Sequence, residues 1–135
     1  MDSSTRPSPP SINVLVLDDQ HTVLIENIER LEQAMAVGKG AAALPQIIRD
    51  LDHYARYHFP TEERLMASYG YPLRDMHAIE HQKFLVRLRE IERIVAEGQA
   101  TAAVEMLSRL RGWLELHMMD WDAKLGEFLN TCGVA

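Results

Sequence analysis

Two histidine-containing pairs in the middle of the sequence have a spacing that suits metal binding. His58 and Glu62 are four residues apart, and so are His77 and His81. On an α-helix, residues four apart lie on the same face, one above the other. Two such pairs on neighbouring helices can direct three imidazoles and one carboxylate into a single volume. The spacing therefore predicts a metal site between two helices.

Three further polar residues fall within the buried stripes of their helices. His21 lies among apolar residues near the start of the chain, and His117 and Asp122 lie near its end. With Leu114 as the centre of the buried face, the α-helical rotation places His117 about 60° to one side and Asp122 about 80° to the other. We therefore expect both side chains to reach one site from opposite edges of that face.

Seven inward-facing polar residues are difficult to explain without a metal. A single inward histidine is more often a hydrogen-bonded core residue than a ligand. Five imidazoles and two carboxylates buried without partners would be strongly destabilising, and coordination of cations removes that penalty. One ion cannot accept all seven, so the pattern predicts two ions that share bridging carboxylates. The predicted ligands are His21, His58, Glu62, His77, His81, His117 and Asp122.

Other polar residues near these positions are expected to face solvent. His53 does not share the face of His58, and Glu63, Glu80 and Asp120 fit the exposed sides of their helices. We therefore interpret these four as surface residues.

The ligand types favour iron over other metals. Imidazole-rich octahedral sites suit iron, and the lack of thiolates argues against a structural zinc site or an iron–sulfur cluster. Ferritin-like di-iron bundles use Glu-x-x-His pairs, but no histidine here has a glutamate three residues before it. The segment 77–81 also matches the H-x-x-E-H zinc-peptidase motif, which would leave His21, His58 and His117 unexplained.

The positions of these residues require four helices with short connections. Apolar residues recur at helical spacing over 19–37, 44–68, 72–96 and 102–130. This pattern predicts an all-α fold, an antiparallel up-down-up-down four-helix bundle with an extended N-terminal arm. In that topology the start of the first and third helices and the end of the second and fourth lie together. The seven predicted ligands occupy those four places.

The remaining segments frame the bundle. Residues 1–12 begin with a Ser/Pro-rich stretch and are predicted to form a disordered or extended arm, followed by a four-helix domain over 13–131 and a tail over 132–135. Residues 14–17 are predicted to be an extended segment packed on the bundle, with Asp18 or Asp19 as the following N-cap. Within the second helix, Pro60 predicts a local kink.

Composition disfavours several classes of partner. The chain of 135 residues suits one domain, and its formal charge of −6 disfavours binding to nucleic acid or an anionic membrane. No apolar run is long enough for a membrane span. The first ten residues lack the apolar core of a secretory signal, and the single cysteine, Cys132, cannot form an internal disulfide. We therefore expect a cytoplasmic protein.

The motifs together resemble the hemerythrin family, in particular its single-domain bacteriohemerythrins. The matching segments are Asp18–His21, His58–Met66 with Tyr71 and Pro72, His77 with His81, and Trp113–His117 with Asp122. They extend from residue 18 to residue 122 and occur in the family's order.

The resemblance implies a non-haem di-iron centre that binds dioxygen reversibly. By that resemblance, His77, His81 and His117 would bind one iron and His21 and His58 the other, with Glu62 and Asp122 and an oxo or hydroxo group bridging them. The oxygen pocket would include Phe59, Trp113, Leu114 and Met118, which also suit ordinary core packing.

Several functions are compatible with such a centre. The first is a dioxygen-binding protein for storage, delivery or sensing, which would not be an enzyme. A protein that receives the oxygen would then be a further partner. The alternative is a di-iron enzyme or responder that acts on nitric oxide or peroxide, or an iron reservoir. The sequence departs from the family in lacking a tryptophan ahead of the first ligand and in carrying Met118 where isoleucine is more usual.

Overall fold

The structure is a computed structural model that describes residues 11–135, except for the side chains of Leu31, Met35 and Ala41. Helices make up nearly all of this part of the chain. They are α1 (Leu15–Ala36), α2 (Gly40–Tyr69), α3 (Arg74–Ala96), α4 (Ala100–His117), a π-helical turn (Met118–Asp122) and α5 (Ala123–Thr131). The last three follow one another with helical backbone at each junction and form one long fourth helix. Residues 11–135 contain no strand, which confirms the predicted all-α class.

The four long helices form an antiparallel bundle. Each packs against the next along the chain, and α4 also contacts α1 and α2. Connections of three or four residues, over 37–39, 70–73 and 97–99, are short enough to require antiparallel neighbours. The predicted up-down-up-down order is therefore confirmed. None of these helices is long and apolar enough to cross a membrane.

The start of α1 differs from the prediction. Residues 15–17 are helical, where an extended segment was expected, and Asp18 lies inside the first turn, where it was expected to cap it. Its carboxylate accepts a hydrogen bond from the backbone N–H of Ile12 (2.9 Å) and another from the Ser11 hydroxyl (2.8 Å). The Asp18 carboxylate thus binds the segment that precedes the helix, and the helix begins at Leu15, four residues earlier than its apolar pattern indicates. Of the predicted arm, residues 1–10 lie outside the described residues.

The second helix continues through both of its prolines. Pro45 and Pro60 lie inside the helix from Gly40 to Tyr69, and the local kink expected at Pro60 stays a prediction. Gly70 ends the helix in the left-handed conformation (φ +67°). The N–H of Tyr71 then donates to the carbonyl of Met66 (2.9 Å), which closes the helix end and directs the chain into α3.

Two apolar clusters fill the interior, and the predicted ligands lie between them. The larger one draws on all four long helices. The smaller one comprises Ile12, Val14, Leu17, Met66, Tyr71, Leu125 and Leu129. Along α1, His21 lies between Leu17 of the smaller cluster and Leu24 of the larger one, and Asp122 has the same placement in the fourth helix. The bundle therefore contains one polar layer with apolar packing above and below it.

The segment before α1 lies directly on the backbone of α5. A Cβ atom at the buried Gly126 would come within 2.5 Å of the carbonyl oxygen of Ile12 and 2.7 Å of its Cβ atom. Only glycine permits this approach, which lets Ile12 complete the smaller apolar cluster beside the polar layer.

We predict that Gly126→Ala destabilises the protein by about 1–3 kcal/mol, because the added methyl group must displace the Ile12 backbone. The matched control is Gly112→Ala in α4, where a Cβ atom would meet nothing within 4 Å. Alanine there should stabilise the helix by up to about 1 kcal/mol. Chemical denaturation of both variants measures the difference, and equal stability of the two would contradict the tight contact.

Candidate metal centre

The seven predicted ligands lie together in the polar layer. Each exposes at most 3% of its surface. Their ligand atoms form two groups, each with all atoms within 4.8 Å of one another. One group consists of Glu62, His77, His81, His117 and Asp122, and the other of His21, His58, Glu62 and Asp122. The structure thus brings every one of these residues into one place, although the sequence spreads them over about a hundred positions.

Two carboxylates belong to both groups, and each divides its oxygens between them. Asp122 places Oδ2 3.0 Å from Nε2 of His21, and Oδ1 3.0 Å from Nε2 of His77 and 3.1 Å from Nε2 of His117. One oxygen therefore faces each group.

The second shared carboxylate, Glu62, follows the same rule. Its Oε2 lies 3.6 Å from Nε2 of His21 and of His58, and its Oε1 lies 3.5 Å from Nε2 of His77 and 2.9 Å from that of His81. Such a division of oxygens is what a carboxylate needs in order to bridge two cations. All five histidines present Nε2 to this interior.

Many of these atoms have no hydrogen-bond partner among the described residues. They include Nε2 of His21, His77 and His117, Oε2 of Glu62 and both carboxylate oxygens of Asp122. Several lie about 3 Å from an opposite group without forming a hydrogen bond with it. Nitrogens and oxygens that converge on a shared point, and not on each other, fit cations placed between them. The donor set of imidazole and carboxylate without thiolate suits iron.

Protons are the natural competitors of metal ions at this site. Burial lowers the pKa of His21, but the carboxylates of Asp122 and Glu62 facing its Nε2 outweigh it and raise the value from 6.5 to about 10. The same balance raises the pKa of His77 to about 9. Burial dominates at His58, whose pKa falls to about 4. The surrounding histidines hold the pKa of Glu62 well below its ordinary value, despite its burial.

A π-helical turn positions His117 and Asp122. In a regular α-helix, side chains five residues apart point about 140° away from each other. The π-helical turn over Met118–Asp122 is wider, with hydrogen bonds between residues five apart, which brings the two side chains onto one face. The two side chains therefore reach the site from one face of a π-helical turn, and not from opposite edges of a regular helix as predicted. The only available signal was the five-residue spacing of two inward polar residues.

Two residues beside the ligands were not predicted to contribute. Oε1 of Gln20, which is buried, lies 2.6 Å from Nδ1 of His58. Oε2 of Glu63 lies 2.9 Å from Nδ1 of His81, although sequence analysis placed Glu63 in solvent. Gln20 could have been recognised, because it lies four residues before the buried Leu24 on the same helical face.

The other residues that were expected on the surface do not approach the site. His53 and Asp120 are exposed. Glu80 is half-buried and binds Lys83 at 2.6 Å. None of these three belongs to the ligand groups.

Aromatic rings pack against two of the candidate ligands. Phe59 stacks on His81 with ring centroids 4.0 Å apart and planes within 6°, and Trp113 stacks on His117 at 4.8 Å and 17°. Leu114 and Met118, the other predicted pocket residues, are buried in the larger apolar cluster. The polar layer therefore has an apolar wall on that side.

Comparison with known proteins places these features in a family. The family profile of the hemerythrin HHE cation binding domain matches residues 13–129. The chain is 33% identical over 110 residues to a bacteriohemerythrin of Pseudomonas aeruginosa, which covers 82% of this chain and 71% of the relative. It is 27% identical over 119 residues to a bacteriohemerythrin of Methylococcus capsulatus, covering 88% of this chain and 90% of the relative. No solved structure gave a significant match.

We predict that Glu62→Ala or His77→Ala abolishes the binding of two metal ions per chain. Each substitution removes an atom that faces the converging ligand set, and Glu62 serves both groups. His53→Ala, on the exposed surface of the same helix as Glu62, is the control and should bind like the original protein. Metal analysis after gel filtration measures the occupancy, and full occupancy in either ligand variant would exclude the proposed ligands.

We also predict that metal binding at pH 7 releases two or more protons, since His21 and His77 are protonated there in the metal-free protein. The pKa of His81 is raised as well, because its burial is outweighed by the neighbouring carboxylates of Glu62 and Glu63. Anaerobic calorimetry with ferrous iron in buffers of different ionisation enthalpy gives the number of protons. The pKa values of His21 and His77 are both raised above 6.5. The contribution of these two histidines to the stability of the metal-free protein is therefore complete below pH 6.5 and is lost as the pH rises through 9 to 10. A metal-free protein that unfolds at the same temperature at pH 7 and pH 10 would contradict these protonation states.

Proposed function

The chain belongs to the hemerythrin family, and on this premise we propose that it binds dioxygen reversibly at a non-haem di-iron centre, for storage, delivery or sensing. The observation that carries the proposal is the pair of ligand groups that share both buried carboxylates. A single cation would leave one of these two ligand groups without a metal ion. Two cations would use all seven side chains, which matches the bridging arrangement of the carboxylate oxygens.

We assign the ligands as follows. His77, His81 and His117 would hold one iron, and His21 and His58 the other. Glu62 and Asp122 would bridge the two, together with an oxo or hydroxo group. When bound, the two ferrous ions supply the electrons with which dioxygen is held. The chain's own residues determine where it binds and what surrounds it.

The two groups differ in the number of side chains that they offer. One contains five residues and the other four, and the missing member is a third histidine. For ions with the same preferred coordination number, the poorer group leaves more room for an external ligand. We therefore place dioxygen at the iron held by His21 and His58.

The wall around the site excludes water. Phe59, Leu114 and Met118 expose 1–2% of their surfaces, and the half-buried Trp113 covers His117. A dry wall keeps water and protons away from the bound oxygen, which slows irreversible oxidation of the iron. Core packing and ligand protection are served by the same side chains.

The chemistry of the site favours reversible binding over catalysis. Five imidazoles and two carboxylates donate less charge than a carboxylate-rich site, which disfavours cleavage of the O–O bond. Among the described residues, the buried polar side chains apart from the seven are Gln20 and Asn27, neither of which titrates. The buried hydroxyl of Tyr71 keeps its proton, because burial raises its pKa. The pocket thus offers no free general acid or base.

We predict that the anaerobic diferrous protein is colourless, gains a visible absorption band in air and loses it under vacuum or argon. Repeated cycles monitored by optical spectroscopy test this, with the iron-free Glu62→Ala variant as the control for nonspecific colour. Direct oxidation to a ferric form without a reversible band would contradict oxygen carriage. Sustained consumption of nitric oxide or peroxide in the presence of a reductant would favour the enzymatic alternative.

A further inference from the structure

The outer nitrogens of two candidate ligands meet partners of different charge. Nδ1 of His58 lies 2.6 Å from the amide oxygen of Gln20, and Nδ1 of His81 lies 2.9 Å from the carboxylate of Glu63. The remaining three histidines have an Nδ1 atom without a hydrogen-bond partner among the described residues. Each ligand group therefore contains one histidine whose Nδ1 atom has a side-chain partner. The partner is a neutral amide for His58 and a charged carboxylate for His81.

The direction of both hydrogen bonds follows from the inner nitrogens. Nε2 of His58 and of His81 faces Glu62 in the interior, at 3.6 and 2.9 Å. When Nε2 serves as the metal ligand, the ring proton lies on Nδ1, so both histidines donate outwards. A carboxylate acceptor draws that proton more strongly than an amide does and makes the ring a stronger electron donor to the metal.

Burial explains why the two partners are not interchangeable. Gln20 exposes 6% of its surface, so a carboxylate there would add a third buried negative charge beside Glu62 and Asp122. The Glu63 side chain is 36% exposed and can keep its charge in contact with water. The sequence thus places the amide on the inner side and the acid at the surface.

We propose that Glu63 and Gln20 are positioning residues that set the reduction potentials of the two irons apart, in addition to the difference in their number of histidine ligands. This inference rests on the proposed di-iron function. The iron held by His77, His81 and His117 receives more charge through Glu63 and is the first to become ferric. The iron held by His21 and His58 receives less, through Gln20, and stays ferrous longer. The chain therefore keeps reduced the iron to which we assign dioxygen.

A reciprocal exchange of amide and carboxylate tests the proposal. The variants are Glu63→Gln, Gln20→Glu and the double variant, which retains the original net charge. Each is loaded with ⁵⁷Fe, oxidised, and given one electron per protein from dithionite. Mössbauer spectra then report which iron is ferrous, because the two sites differ in their number of nitrogen ligands. Glu63→Gln should raise the share of ferrous iron at the site of His77, His81 and His117, and the double variant should raise it further.

Glu80→Gln is the matched control, because Glu80 loses the same charge but binds Lys83 and not a histidine. Its spectrum should equal that of the original protein. Competition with a chelator gives a second readout: Glu63→Gln should lower metal affinity by about 10- to 100-fold, whereas Glu80→Gln should not. Circular dichroism verifies that each variant is folded, and Glu63→Gln alone decides the question if Gln20→Glu does not fold.

An unchanged share of ferrous iron at each site in folded Glu63→Gln and in the double variant would overturn the proposal. Reversible oxygen binding could still be present in that case, so the proposed function would stand. Conversely, a share of ferrous iron that shifts in a protein without a reversible oxygen band would support the asymmetry and refute oxygen carriage.

Discussion

The structure depends on one electrostatic constraint, the burial of two carboxylates and five imidazoles in a layer with apolar packing on both sides. Low polarity above and below the layer makes each uncompensated charge destabilising. The seven side chains compensate one another only in part, since many of their atoms converge without hydrogen bonding. The layer could hold cations, and the division of the Glu62 and Asp122 oxygens is the arrangement that two of them would need.

In the metal-free chain, protons bound to the histidines can offset the negative charge of the two carboxylates. The raised pKa values of His21 and His77 place positive charge beside the two carboxylates at neutral pH. The low pKa of His58 leaves that ring neutral, as a metal ligand must be. Protons on His21 and His77 therefore offset the two buried carboxylates in the metal-free chain, and metal ions would have to displace them.

Helical periodicity made most of the fold and the position of the site predictable. Apolar residues at helical spacing located four helices, and polar residues within those stripes stood out because core positions rarely carry them. The start of α1 was misjudged because residues 14–17 have the composition of a strand, whereas α1 begins at Leu15 and its Asp18 carboxylate accepts a hydrogen bond from the N–H of Ile12. The contact of Glu63 with His81 was not predicted, because a partly exposed position gives no signal of the ring that it contacts.

The π-helical turn has a consequence for how motifs of this fold are compared. Five residues through a wider turn rotate a side chain by about the same angle as four residues through a regular one. In an uninterrupted α-helix, a histidine and an aspartate at positions i and i+4 are thus geometrically equivalent to His117 and Asp122. A one-residue insertion or deletion between them can be absorbed by the backbone, so a search that fixes their separation would overlook chains that share the same arrangement of ligands.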